Sequence, residues 1–394
     1  MEITGRRYDT GEAVTLTVTA GRIARLQTRR DLSATRLPWI GPGFVDLQIN
    51  GYGGREFNEP GLTVDDVVRI ARAQDACGVV AFCPTTTTQS AEVLLGAMRT
   101  LAAACDTVPE VAQRVAGIHV EGPFISPEDG PRGAHPKQHV RPPDWDEFQR
   151  LQEAAGGRIR ILTMSAEYDT SPDFIRRAVD RGVTIALGHT NATADQIRAA
   201  VDAGARFSTH LGNAAHPRIR RHPNYIWDQL AEDRLLATLI VDGHHLPPAV
   251  VQSFVRAKTP ERCLIVSDIT GMAGMPPGYY EQTSLGAIEV LEDGRLVVGG
   301  QRELLAGASL PIGVGVVNLQ RFAGLDLRTA IEMASIQPAR LVGHPVCRLE
   351  VGAPADLLQF ELQTDPSVRA TDALRILATV RGGEVVYGAV CPPG

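Results

Sequence analysis

No uninterrupted apolar stretch in this sequence is long enough to span a bilayer, and its first ten residues contain no run of signal-peptide length. The expectation is a cytoplasmic protein without a membrane partner. Six cysteines (77, 83, 105, 263, 347 and 391) include no Cys-x-x-Cys pair, which removes the common thiolate metal and redox motifs. Cys83 and Cys263 lie in or beside apolar runs and read as reduced, buried small hydrophobes. Charge of one sign is nowhere concentrated: the net value of −6 is mild for 394 residues and includes no long single-sign run, which argues against nucleic acid as a partner. Internal repeats, low-complexity segments and flexible linkers are also missing. With 44% hydrophobic and 21% charged residues, the composition is that of a globular protein with ample core.

Eight short apolar, β-branched-rich runs stand between residues 40 and 270: 43–49, 79–84, 116–120, 159–165, 183–188, 205–209, 237–241 and 263–267. Most are separated by segments with helical periodicity, such as 63–78, 171–182 and 194–204, which start near Asp, Ser or Thr and stop at Gly. Strand-helix alternation repeated about eight times predicts a (β/α)8 TIM barrel. An open doubly wound sheet is the alternative, but the first run leads into Gln48-Ile-Asn-Gly-Tyr-Gly-Gly54, without the GxGxxG phosphate turn common in that fold.

Residues 1–40 and 346–394 alternate apolar and polar, as half-exposed antiparallel strands do. They predict a small β-sandwich domain built from both termini, flanking a barrel over 41–345. Residues 289–298 read as a further hairpin turning at Asp293-Gly294.

Four chemistry-bearing residues end such runs: Glu121, His189, His210 and Asp268. In a closed parallel barrel all C-terminal strand ends share one face, where barrel enzymes keep their active sites. One carboxylate and two imidazoles form a three-ligand set that leaves a divalent ion an open position, so one ion per chain is expected at Glu121, His189 and His210. Zinc is the default; iron, cobalt or manganese would accept the same donors. Taken singly, each residue reads better as a hydrogen-bonded structural group, and it is the set that points to metal. Asp268 is then the proton shuttle, its alternative being a buried aspartate that pairs with an arginine or caps the next helix. His135, on the loop after strand three, is positioned to polarise a substrate carbonyl. His245, after strand seven, and Arg221, after strand six, would suit an anion such as phosphate, although an arginine run is equally a solvated face or an intersubunit salt bridge. His119, His216, His222 and His244 crowd the same rim without an assignable role.

Several stretches jointly resemble the N-acetylglucosamine-6-phosphate deacetylases of the amidohydrolase superfamily. They are Pro42-Gly-Phe-Val-Asp-Leu-Gln-Ile-Asn-Gly51, His119-Val-Glu-Gly-Pro123, Arg132-Gly-Ala-His135, Leu187-Gly-His-Thr-Asn-Ala-Thr193, Thr209-His-Leu-Gly-Asn-Ala214, Asp242-Gly-His-His245, Val266-Ser-Asp268, Gly307-Ala-Ser-Leu310 and Gly352-Ala-Pro-Ala-Asp356. The resemblance implies a barrel with a β-sandwich from both termini, a metal held by Glu121, His189 and His210, and Asp268 as general base and acid. It also implies that His135 contacts the scissile acetyl group, that Asn213 and Ala214 line the sugar-phosphate pocket, and that His245 meets the phosphate together with Arg221 of a neighbouring subunit, hence a homodimer. Superfamily members with two metals usually begin strand one with His-x-His; Gln48-Ile-Asn50 stands here instead, and amides are feeble zinc ligands, so a single metal is implied.

The expected activity is metal-dependent hydrolysis of the acetamide of an N-acetyl amino sugar, N-acetylglucosamine 6-phosphate if the family substrate holds. The alternatives are a deacetylase of a different N-acyl amino sugar, phosphorylated or not, or of a related amide, and a catalytically silent sugar-phosphate-binding barrel. Gly212, in place of a bulkier residue common in the family, the stretch 216–228 and the loop 270–280 are departures that bear on the substrate.

Overall fold

A computed structural model describes residues 1–283, 286–300 and 305–392. Eight parallel strands follow one another in sequence order around a nearly closed barrel: Phe44–Ile49, Val79–Thr86, Ile118–Glu121, Ile159–Met164, Thr184–Leu187, Phe207–Ser208, Leu236–Leu239 and Cys263–Ile265. They match the eight apolar runs. The seam between strands eight and one is drawn together by the Asp268 N–H on Gln48 O (3.0 Å) and the Asn50 N–H on Ile269 O (2.8 Å).

Both faces of each strand are buried, which is why the runs are apolar throughout rather than alternating. Val45, Leu47, Ala81, Cys83, Ile161, Ala186, Phe207, Leu264 and Val266 pack with one another as one cluster, while Phe44, Ile49 and Phe82 belong to a larger cluster shared with the helices. Helix starts follow the local chemistry. Thr63 and Thr193 form reciprocal capping boxes with Asp66 and Gln196, opening the helices Val64–Ala76 and Ala194–Asp202. Ser90 and Asp144 cap their helices singly, each accepting an N–H three residues on.

The two ends of the chain build one sheet of seven strands: Glu2–Arg7, Ala13–Thr19, Arg22–Thr28, Trp39–Pro42, Leu357–Leu362, Leu374–Arg381 and Glu384–Gly388. The sheet curls until the Ile23 N–H reaches Ala353 O (3.0 Å) and the Ala355 N–H reaches Gly21 O (2.9 Å). A buried charge cluster fastens it to the barrel. Asp75, in the last turn of helix Val64–Ala76, receives Arg114 Nε at 3.0 Å and Arg381 Nη1 at 3.4 Å, and its carbonyl accepts the Thr379 hydroxyl at 2.7 Å. The hairpin expected near residue 293 is present, with Gly286–Val290 paired to Leu296–Val298 and Gly294 in the left-handed region at φ 86°. All six cysteines are free, with Cys83 and Cys263 buried, and no helix among the described residues is long and apolar enough to cross a membrane.

Candidate active site

Each strand that delivers a chemical group turns sharply as it does so. His189 (φ 50°), His210 (φ 30°) and Asp268 (φ 54°) all occupy the left-handed region, and Gly122 (φ 87°) follows Glu121. For residues with a Cβ that conformation costs of order 1–3 kcal/mol, and it persists where the surroundings impose it. Gly188 is part of that surrounding: a Cβ there would lie 2.8 Å from Thr209 Cβ and 2.9 Å from Thr163 Cγ2, so only glycine allows strand five to approach its neighbours before His189.

Glu121, His189 and His210 converge as the sequence predicts. Glu121 Oε1 lies 3.0 Å from His189 Nε2 and 2.9 Å from His210 Nε2, and the two Nε2 atoms are 3.2 Å apart. Four tetrahedral ligands at about 2.0–2.1 Å from zinc are separated by roughly 3.3 Å, so the donors already have close to metal-binding spacing. Burial would push the Glu121 carboxyl up, but His189 and His210 outweigh it and draw it well below the usual range. A carboxylate stabilised by positive charge at that point suits a divalent cation. His189 Nδ1 lies 3.0 Å from the Pro131 carbonyl, which only accepts, so Nδ1 carries a proton and Nε2 is the nitrogen that would give its lone pair to a bound cation. Among the described residues no other group of three His, Cys, Asp or Glu has metal-binding spacing.

Asp268 is held by two amides at the end of strand one. Gln48 Nε2 and Asn50 Nδ2 both donate to Asp268 Oδ1, at 2.9 and 2.8 Å. Burial, reinforced by the nearby Glu121 charge, pushes the Asp268 carboxyl up to about 6, within the range where one group can both accept and return a proton. Beneath it, buried Asp46 accepts the N–H groups of Ser267 and Gln48, each at 3.2 Å, tying strand eight to strand one.

His135 Nδ1 lies 2.7 Å from Thr88 Oγ1, and its ring packs 4.2 Å from that of His189. Burial, with the neighbouring His189, pushes the His135 imidazole down to about 3 and keeps it neutral. His245 Nδ1 is 2.7 Å from Asp242 Oδ2, while Asp242 Oδ1 accepts the N–H groups of His244 and His245 at 2.8 and 2.9 Å. Burial raises the Asp242 carboxyl, but these hydrogen bonds prevail and hold it at about 2. As an anion it fixes the His245 ring with Nδ1–H inward and Nε2 outward.

These groups share one cavity of ≈ 320 Å³, whose walls include Glu121, His135, His189, His210, Asn213, Ala214, His245 and Asp268. Asn50, Glu56, Thr87 and Thr270 also line it; the sequence points to Asn50 only as part of the Gln48-Ile-Asn50 motif and to Thr270 only as the start of the loop 270–280, and to Glu56 and Thr87 not at all. Arg221 does not line it. It is exposed on the loop after His210, which Asn224 secures by donating Nδ2 to Arg220 O and Arg221 O. Gly212 is not on the cavity wall either, since a Cβ there would meet Phe254 at 2.8 Å. His119 lies buried, with Nδ1 2.9 Å from Leu47 O and Nε2 2.8 Å from the Thr163 hydroxyl. Both ring nitrogens are used structurally.

The sequence matches the model of the family described as "Amidohydrolase family" over residues 39–386. It is 34% identical over 369 residues to human N-acetylglucosamine-6-phosphate deacetylase, covering 89% of this chain and 84% of that one. It is 31% identical to N-acetylgalactosamine-6-phosphate deacetylase of Escherichia coli O157:H7, over 77% of this chain and 78% of that one. The structure superposes on a variant N-acetyl-D-glucosamine-6-phosphate deacetylase of Mycobacterium smegmatis, in complex with N-acetyl-D-glucosamine 6-phosphate, with a TM-score of 0.84, 31% identity and coverage of 98% and 99% of the two chains. The barrel and the terminal sheet thus agree with matches over nearly the whole length, and the chain belongs to the amidohydrolase family, as a hydrolytic enzyme of the N-acetylglucosamine-6-phosphate deacetylase group.

Proposed function

We propose that this chain hydrolyses the acetamide of N-acetylglucosamine 6-phosphate to acetate and glucosamine 6-phosphate. The observation that carries the reading is the convergence of Glu121, His189 and His210, donor atoms within 4.8 Å of one another, on the cavity that also holds Asp268 and His135. A divalent ion held by those three, zinc by default, would supply Lewis acidity toward the carbonyl and lower the pKa of water toward neutrality.

The chain's own residues do the rest. Asp268, as carboxylate, takes a proton from the attacking water as oxygen bonds to the carbonyl carbon. It then returns that proton to the amide nitrogen as the C–N bond breaks, so that the amine leaves neutral beside acetic acid, whose remaining proton passes to solvent to give acetate. His135 donates a hydrogen bond to the carbonyl oxygen as negative charge builds there. Asn213 and Ala214 line the sugar-phosphate side, and His245, oriented by Asp242, meets the phosphate. Arg221, exposed and away from its own cavity, would complete that contact in a second copy of the chain, which makes the working form a homodimer. Cytoplasmic sugar phosphates are the matching substrate pool.

A second reading is favoured by the similarity to N-acetylgalactosamine-6-phosphate deacetylase: the substrate is the C4 epimer. A panel of four compounds, the gluco and galacto epimers with and without the 6-phosphate, tests both readings by appearance of free amine. The expected order places N-acetylglucosamine 6-phosphate first in kcat/KM. Preference for an unphosphorylated sugar would contradict the phosphate assignment, and preference for the galacto 6-phosphate would move the substrate to the epimer.

A further inference from the structure

Two histidines in the cavity, His135 and His189, pack with ring centroids 4.2 Å apart, yet their Nδ1 atoms meet opposite partners. His189 Nδ1 faces the Pro131 carbonyl, an obligate acceptor. His135 Nδ1 faces the Thr88 backbone N–H, an obligate donor, at 3.4 Å, and the Thr88 hydroxyl at 2.7 Å. A neutral imidazole carries one proton, and the partner at one nitrogen decides which nitrogen holds it. His189 therefore keeps a proton on Nδ1, which leaves Nε2 as the nitrogen for a cation shared with Glu121 and His210. At His135 a proton on Nδ1 would point at the N–H of Thr88 and leave a buried donor unsatisfied.

We propose that Thr88 is a positioning residue that fixes His135 as the Nε2–H tautomer, so that the ring presents a hydrogen-bond donor to the substrate carbonyl oxygen. This rests on the deacetylase reading for the role of the donor, but the tautomer itself follows from the resting geometry. Thr88 is fully buried, just past the end of barrel strand two, and its hydroxyl is closely confined. A Cβ on Gly122 would come within 2.2 Å of Thr88 Oγ1, so the glycine that follows Glu121 clears the space that lets the hydroxyl reach His135. The arrangement gives one residue type two uses side by side, an acceptor nitrogen toward the metal ligands and a donor nitrogen toward the substrate.

The test is 15N NMR of the full-length, zinc-loaded protein labelled at histidine, with His135 assigned by its loss in His135→Gln. Wild type should show unprotonated Nδ1 and protonated Nε2 at His135. Thr88→Val, which keeps the shape but removes the hydroxyl at 2.7 Å, leaves only the long 3.4 Å backbone N–H contact to hold the tautomer; it should shift His135 toward a tautomer mixture and lower kcat about 10- to 100-fold, short of the outright loss of an oxyanion donor, with KM within about 3-fold. Thr88→Ser, which restores the hydroxyl, should stay within about 3-fold of wild-type kcat. A protonated Nδ1 at His135 in wild type would overturn the proposal. So would a folded Thr88→Val with unchanged kcat, or a Thr88→Ser as impaired as the valine variant. If Thr88→Val does not fold, the wild-type spectrum still decides. The spectrum needs no substrate, so failure of the deacetylase reading in a substrate assay is distinguishable from failure of the tautomer assignment.

Discussion

Asn50 Nδ2 lies 2.8 Å from Asp268 Oδ1, and the Gln48 amide reaches the same oxygen from two residues earlier on strand one. The two amides of strand one thus support the proposed proton-transfer group across the barrel seam. Replacing Asn50 with Leu removes a hydrogen bond to the charged carboxylate, and such bonds contribute about 1.5–3 kcal/mol, or roughly one to two pH units. Asp268 already stands at about 6, through burial and the Glu121 charge; a bound cation lowers that value in wild type and variant alike. Asp268 must be ionised to accept a proton, so activity falls on the acid side of its pKa. The acid limb of kcat/KM against pH should move up by about one unit or more in Asn50→Leu. An unmoved limb would remove Asn50 from that role.

One tightly held divalent ion per chain is expected, because the donors converge at a single three-residue cluster. Chelation should abolish turnover and added zinc should restore it. Zinc should also raise the unfolding midpoint, since saturation at a hundredfold over Kd stabilises by about 2.7 kcal/mol. Elemental analysis giving two ions per chain would contradict the mononuclear site.

Arg221→Ala should lower kcat/KM for the 6-phosphate substrate about 30- to 1000-fold, the loss of a forked charge-assisted contact, while hardly changing turnover of the free sugar. Since Arg221 lies outside its own cavity, the effect should act in trans. Unfolding and refolding Arg221→Ala together with Asp268→Asn should restore up to about a quarter of wild-type activity, the share of sites that combine an intact Asp268 with a partner's intact arginine in a two-fold dimer. No restoration would place the arginine's effect within one chain.

Much of the barrel was legible because a strand buried on both faces must be apolar throughout, and the metal cluster because its members end such runs. The supporting residues were not. Gln48 and Asn50 lie some 220 residues from Asp268 in sequence and read only as missing histidines; their positive role appears when strand one closes on strand eight. Thr88 ends a run of four threonines, 85–88, with nothing to single it out. Asp242 stands three residues before His245, a spacing compatible with a local side-chain contact, but only the folded loop shows that it orients the ring. His119 seemed to crowd the rim because it sits two residues before Glu121, and the hydrogen bonds to Leu47 and Thr163 account for it instead.

Asp75 carries the junction between the barrel and the terminal sheet, with Arg114 and Arg381 both on its carboxylate. Replacing Asp75 with Ala takes the carboxylate from Arg381 and leaves Arg114 with the more distant Glu110 at 3.7 Å, and breaking such a cluster costs about 3–5 kcal/mol. The urea midpoint should fall accordingly. A change under about 1 kcal/mol would mean that the cluster is not a structural junction.

Acetate release from N-acetylglucosamine 6-phosphate by the zinc-loaded protein, measured beside Asp268→Asn, tests the central claim most directly. Wild type should release one acetate for each glucosamine 6-phosphate formed. The variant, which keeps the side chain's shape and loses the proton acceptor, should bind zinc and substrate as wild type does and turn over about 10²–10⁴-fold more slowly. No acetate from wild type, or a variant that retains more than about a tenth of wild-type kcat, would contradict it.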